Sequence, residues 1–242
     1  MNVNKKKFLI LIPTFNEKRN INRIINKIKV NVKLKYDILF VDDNSTDGTK
    51  KIINNIKLKN VFVFNRKEKL GVGSAHKAGI EYGYKKKYRY IITMDCDGTH
   101  DPKYINKIVK LLSKNDLVIT DRFKNKNSLS GWNIYRKFIT TFRHIFVTFI
   151  FNTSLDSSGA FRCYDTKKIK LKDIMLAKSN SYSFFTESTV ILHNKNYKIN
   201  QIPVILPKRH SGSSKMKFMD VLVGFLYTLL IFYKIKLTNS YN

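Results

Sequence analysis

The sequence predicts an α/β fold, a mostly parallel central sheet flanked by helices. Short apolar runs alternate with stretches of helical periodicity through the first two-thirds of the chain. Each run and its following helix have the length of a βα unit, which favours parallel pairing. Carboxylates gather directly after those runs, where open α/β sheets bind their ligands.

The elements follow in order. Residues 8–12 read as a buried strand stopped at Pro13, and residues 17–29 place Ile21, Ile24, Ile25 and Ile28 on one helical face. A second strand, 36–41, runs into Asp42-Asp43. The turn from Asn44 to Thr49 offers Asp47 as a cap for a helix carrying Ile52, Ile53 and Ile56. A strand at 61–64, a helix at 74–84, a strand at 90–94, a helix around 103–112 and a strand at 117–120 continue the alternation. The second half is less regular: a long Phe-rich helix over 132–151, a strand at 160–164, a helix at 187–193 and a strand at 198–206. A mostly apolar or amphipathic helix over 217–235 closes it. No internal repeat and no linker splits the chain into independent domains, and residues 1–215 are expected to form one α/β domain. Residues 216–242 are expected to form a membrane-associating C-terminal helix.

Composition narrows the function classes. The 242 residues are 43% hydrophobic and 13% aromatic, which excludes a disordered basic tail. Two cysteines, Cys96 and Cys163, suit a reducing compartment, and no Cys/His spacing suits structural zinc. The net charge of +29 favours phosphorylated substrates, anionic lipid or nucleic acid. Nucleic acid ranks low because acids at successive strand ends repel a phosphate backbone. The N-terminal apolar run is too short for a signal peptide. The stretch 221–233 is short for a bilayer span.

Five segments carry chemistry. Asp95 and Asp97 follow the fourth strand one residue apart, a spacing at which two carboxylates share a hard cation such as Mg²⁺ or Mn²⁺. One of the adjacent acids Asp42 and Asp43 can accept from a nucleotide base or ribose while Asp47 caps the following helix, or all three serve only capping and turn geometry. Gly71-Val72-Gly73, continuing to Gly79, lacks the spacing of a phosphate loop and fits close helix–sheet packing better. Arg136 and Thr140, one helical turn apart after Arg122, can point at one anion. The loop from Arg209 to Lys215 is basic, rich in small residues, and suited to wrapping a diphosphate.

In this order the segments resemble the dolichol-phosphate (polyprenyl-phosphate) mannosyltransferases of glycosyltransferase family 2. The match runs from about Phe8 to Lys215. It is carried by residues 11–17 (LIPTFNE), 41–49 (VDDNSTDGT), 94–97 (MDCD) and 158–162 (SGAFR), and by the loop from Arg209 to Met216. The resemblance implies a GT-A-type nucleotide-sugar fold and inverting transfer of mannose from GDP-mannose to a polyprenyl phosphate, with UDP-glucose as the alternative donor. It implies that Pro13, Phe15, Glu17, Val41 and Asp43 form the base and ribose pocket. Asp95 and Asp97 would flank a divalent cation and the diphosphate, with Cys96 contributing backbone contact and Thr99 in the third metal-ligand position. Arg122, Arg209 and Lys215 would hold phosphate charge, and Arg122, Arg136 and Thr140 the acceptor phosphate.

Three positions depart from the family pattern. Phe15 stands where Tyr is common, Thr99 where Gln or Ser is common, and Thr120-Asp121 where Gly-Ser or Gly-Thr usually precedes the arginine. Asp121 thereby adds negative charge beside the phosphate site. A hydroxyl acceptor would instead need a carboxylate base, for which Glu187 is the candidate. A phosphate acceptor, with a second pKa near ~6, needs none. The resemblance further implies a peripheral enzyme at the cytoplasmic face of a membrane. The Phe138, Phe142, Ile145, Phe146 and Phe149 stripe and the C-terminal helix would meet lipid there, or else pack into the core.

Overall fold

Strict alternation along the first strand sets the layering. In a computed structural model that describes residues 8–130, 132–207 and 218–236, β1 (Phe8–Thr14) sends Phe8, Ile10 and Ile12 into one apolar layer and Leu9 and Leu11 into the other. β2 (Tyr36–Asp42) divides in the same way, with Ile38 and Phe40 on one side and Leu39 and Val41 on the other. Strands buried on both faces are what a helix-covered parallel sheet requires.

With β3 (Val61–Asn65), β4 (Tyr90–Thr93), β5 (Leu117–Asp121), β6 (Arg162–Asp165) and β7 (Ile199–Pro203), they form a seven-stranded sheet in the order β3-β2-β1-β4-β6-β5-β7. β6 pairs antiparallel with both β4 and β5, and every other pair is parallel. Arg162, the first residue of β6, therefore faces Thr93, the last of β4. The chain that leads into β6 is delivered to the end of the sheet where β1, β2, β4 and β5 finish.

The helices are α1 (Ile21–Asn31), α2 (Thr49–Asn54), α3 (Val72–Lys85), α4 (Ile105–Leu111), α5 (Ile134–Phe151), α6 (Leu171–Met175), α7 (Ser183–Asn194) and α8 (Phe218–Lys236). A 3-10 turn, Pro102–Tyr104, takes the first turn expected of α4. The five residues of α6 were not expected from the sequence. Of the glycine stretch, Gly79 serves close helix–sheet packing, as its spacing suggested, whereas Gly71 and Gly73 pack against the backbone of Asn180 and Ser181. A Cβ on Gly79 would stand 2.2 Å from Leu11, and one on Gly83 would stand 2.5 Å from Ile91, so α3 lies directly on the sheet.

The two helices with ambiguous apolar faces separate here. α5 buries only Val147 and Phe151, while Phe138, Phe142, Ile145 and Phe149 are exposed. α8 buries Thr228, Ile231 and Ile235 against the protein, yet Leu222, Val223, Leu226, Leu230 and Tyr233 face outward. The two helices meet through Phe225 stacked on Phe146, with ring centroids 4.2 Å apart. The expected domain boundary at 215/216 lies outside the described residues.

Candidate active site

Strand ends position the first group of side chains. Pro13 is the penultimate residue of β1 and Phe15 and Glu17 lie just beyond it, Asp43 follows β2, and Asp95, Cys96 and Asp97 follow β4; all line one cavity of ≈ 390 Å³ at the point where strand order reverses. Asp43 is buried and accepts the N–H groups of Leu70 at 3.0 Å and Gly71 at 2.9 Å, with Arg66 Nη1 2.9 Å from its Oδ1. A carboxylate has about four lone-pair sites. Asp43 is thus fixed in place with capacity for one further donor, such as a ribose hydroxyl. Gly71 stands at φ +95° where its N–H meets Asp43, and its Cβ would collide with Asn180 O at 2.5 Å.

Val41 stands apart from this group. Its side chain is fully buried in the apolar layer rather than on the cavity wall, so any part it takes there is through its backbone. Asp42 and Asp47 serve turns: Asp42 accepts from Thr14, Ser45 N–H and Ser45 Oγ, and Asp47 Oδ1 accepts from Thr49 N–H at 2.9 Å. Lys69 Nζ lies 4.1 Å from the Phe15 ring centroid, giving the phenyl face a cationic neighbour in place of a tyrosine hydroxyl.

Asp97 is buried, and its Oδ1 accepts both the N–H of Thr99 at 3.0 Å and its hydroxyl at 2.6 Å. Thr99 therefore orients the carboxylate. Asp95 is more open, and its N–H donates to His100 Nδ1 at 2.8 Å. His100 in turn stacks on Phe161 at 5.2 Å. The pair sits on a braced turn.

A second cavity, of ≈ 150 Å³, adjoins the first and shares Asp95, Val72 and Tyr182 with it. Its wall carries Arg122 after β5, and Arg136, Thr140 and Arg143 from α5. Arg122, expected at both substrates, lies on this cavity and is held by Asp156 through Nε at 2.7 Å and Nη2 at 2.6 Å, and by Ser158 at 2.6 Å. Burial alone would raise the Asp156 pKa, but Arg122, by charge and hydrogen bonds, outweighs it and holds the carboxylate below its ordinary range. Arg136 lies 3.7 Å from the Trp132 ring centroid, and its N–H is capped by Asn133. The extra charge of Asp121 is absorbed by the N–H groups of Phe123 at 2.8 Å and Lys124 at 3.1 Å.

Arg209 and Lys215 lie outside the described residues. Glu187 is buried and accepts Ser179 N–H at 2.9 Å; it lines neither cavity. Asp156 was not singled out from sequence, and Ser158 (in the 158–162 motif), Arg143 (on the long helix) and His100 (after the Asp95–Asp97 pair) were given no role there. Among the described residues, no three His, Cys, Asp or Glu side chains gather as a metal cage, and both cysteines are free and buried.

His76 on α3 packs edge-on to Phe185 at 4.9 Å, and its Nε2 has no partner. Burial, followed by Arg162 and His100, lowers its pKa to about 3. Because the folded value lies below the unfolded one, the stability this neutral ring contributes is complete above pH 6.5 and is lost as pH falls towards 3. Urea melts are expected to lose about 1.4 kcal/mol per pH unit through that window, and His76→Phe to flatten the slope. An unchanged slope in the variant would exclude His76 as its source.

The comparisons agree with this architecture. The family model for Glycosyl transferase family 2 matches residues 9–171. The chain is 26% identical over 218 residues to the polyprenol monophosphomannose synthase of Mycolicibacterium smegmatis, covering 88% of this chain and 82% of that protein. It is 28% identical over 211 residues to the undecaprenyl-phosphate mannosyltransferase of Micrococcus luteus, covering 86% of each. Among solved structures it shares the GT-A-type fold of glucosyl-3-phosphoglycerate synthase from Mycobacterium tuberculosis. That structure holds Mn²⁺, UDP-glucose and phosphoglyceric acid, and the TM-score is 0.65 at 13% identity over 94% of this chain and 80% of that one.

Proposed function

This chain belongs to the glycosyl transferase family 2, and from that premise we propose that it transfers mannose from GDP-mannose to a polyprenyl phosphate with inversion at the anomeric carbon. One observation carries the reading: a carboxylate-lined cavity and an arginine-lined cavity meet at Asp95. The first suits a nucleotide sugar and its cation, and the second suits an anionic acceptor. The names of the relatives from M. smegmatis and M. luteus support a mannosyl donor and a polyprenyl-phosphate acceptor.

The donor set fits a divalent cation. Asp95 and Asp97 present hard oxygen ligands on one cavity, and a site with only two protein carboxylates leaves positions for substrate phosphates, as Mg²⁺ or Mn²⁺ prefers. Bound there, the ion would neutralise charge on the leaving diphosphate. Phe15 offers a stacking face for the base and Asp43 an acceptor for the ribose. Arg122, Arg136 and Thr140 orient the acceptor phosphate so that one oxygen attacks the anomeric carbon from the face opposite the diphosphate. The bond from sugar to diphosphate breaks as the new bond forms, and its electron pair leaves with the diphosphate. The attacking oxygen carries no proton to remove, since a phosphate monoester is largely dianionic at neutral pH. Asp95 is the one carboxylate among the described residues lining the arginine cavity, and Glu187 does not line it. Catalysis is then positioning and charge neutralisation. Arg209 and Lys215 complete the diphosphate site in this reading.

No helix among the described residues is long and apolar enough to cross a membrane. The outward faces of α5 and α8, apolar and adjacent to the arginine cavity, suit a peripheral seat on the membrane that holds the acceptor. The test uses the full chain, Mg²⁺ or Mn²⁺, and liposomes carrying undecaprenyl phosphate. Labelled GDP-mannose is expected to transfer label to extractable lipid while the protein floats with the vesicles. Label arriving from UDP-glucose instead moves the reading to the glucosyl donor. Label entering only a hydroxyl acceptor overturns it.

A further inference from the structure

The arginine cavity contains, besides Arg122 and Arg136, a third guanidinium, that of Arg143. Arg143 Nη2 donates to Thr186 Oγ1 at 3.0 Å, its Nε is buried with no hydrogen-bond partner, and no carboxylate among the described residues forms an ion pair with it. Gly224 of α8 closes over the group, its Cβ position 3.9 Å from Arg143 Cζ. Burial, followed by the like charge of Arg122, lowers the Arg143 pKa to about 10, with Asp156 opposing. It remains charged at neutral pH. A desolvated guanidinium next to a second one is unfavourable until an anion arrives.

Helical geometry says where that anion sits. Arg136, Thr140 and Arg143 occupy positions i, i+4 and i+7 of α5, one face of the helix, and all three line the same cavity as Arg122. We infer that Arg143 is a further ligand of the acceptor phosphate, donating from its buried edge to a phosphate monoester dianion already met by Arg122, Arg136 and Thr140. The identity of the lipid that carries the phosphate rests on the reading above; the anion site does not.

The experiment separates the two. Thermal melts of the full chain with inorganic phosphate, and separately with farnesyl phosphate, read the site without any need for turnover. Wild type is expected to gain stability with both, more with the lipid ester. Arg143→Met is expected to melt no lower than wild type when ligand-free, because an uncompensated charge has been removed, and to lose about tenfold in affinity for both probes. In the transfer assay the same variant should raise KM for the polyprenyl phosphate about tenfold with kcat changed far less and KM for the nucleotide sugar unchanged, and Arg143→Lys should recover part of the loss. Equal phosphate response in wild type and Arg143→Met overturns the inference. So does a fall in the melting temperature of ligand-free Arg143→Met, which would make Arg143 a strut between α5 and α7. Phosphate binding that depends on Arg143 in a chain that transfers no sugar to polyprenyl phosphate upholds the site and overturns only the proposed acceptor.

Discussion

Asp97→Ala is expected to reduce sugar transfer about a thousandfold while leaving the protein folded. Asp97 is buried in the turn that follows β4, on the wall of the donor cavity, with one oxygen anchored twice by Thr99. Alanine removes one of two carboxylates proposed to hold the cation and frees the Thr99 turn, a structural cost of about 1 kcal/mol. The loss in rate should therefore far exceed the loss in stability. Asp97→Asn separates the two effects, since it keeps the shape and an acceptor oxygen for Thr99 but removes the charge. It should melt like wild type and still turn over poorly. Measuring kcat at saturating donor across a Mg²⁺ and Mn²⁺ titration decides the matter. Near-normal turnover of either variant would remove the cation from this pair of carboxylates and with it the proposed route for stabilising the leaving group.

What the sequence made legible follows from locality. Glu17, Asp43, Asp95, Asp97 and Arg122 each sit just beyond a strand whose pattern is unmistakable, so a parallel sheet alone gathers them at one end. Arg136 and Thr140 were legible through helical spacing. The same spacing extends to Arg143 three residues on, a signal present in the sequence and obscured there by the phenylalanines around it. Asp156 left no such trace, and Ser158 was legible only as the first residue of the 158–162 motif, with no role attached. They reach the site because β6 runs against its neighbours, and strand direction is decided by tertiary packing rather than by any residue within Arg162–Asp165. The stripe on α5 illustrates the same limit. Its periodicity is identical for a core face and an exposed one, and only the placement of α8 against it shows that Phe138, Phe142 and Phe149 stay outside.

Asp156→Ala is expected to destabilise the protein by about 3–5 kcal/mol, because it strands a buried guanidinium. Asp156 accepts three hydrogen bonds from Arg122, through its backbone N–H, Nε and Nη2, and both groups are shielded from water. For a 242-residue chain the melting temperature should fall by roughly 10 °C. The acceptor KM should rise as well, because Arg122 is then free to leave the cavity wall. Removing both charges with Arg122→Met and Asp156→Leu should restore much of the stability and none of the transfer, since the double variant has no unpaired ion and no phosphate contact at that position. The pH profile adds an independent check. The folded Asp156 pKa lies below its unfolded value, so the stabilisation is complete above the ordinary carboxylate range and is lost as pH falls through the folded value. That window lies at the acid end of the His76 transition, so the two groups can be separated in one series of melts. If Asp156→Ala melts with wild type, the pair does not brace Arg122. The arginine cavity would then owe its shape to the α5 helix alone.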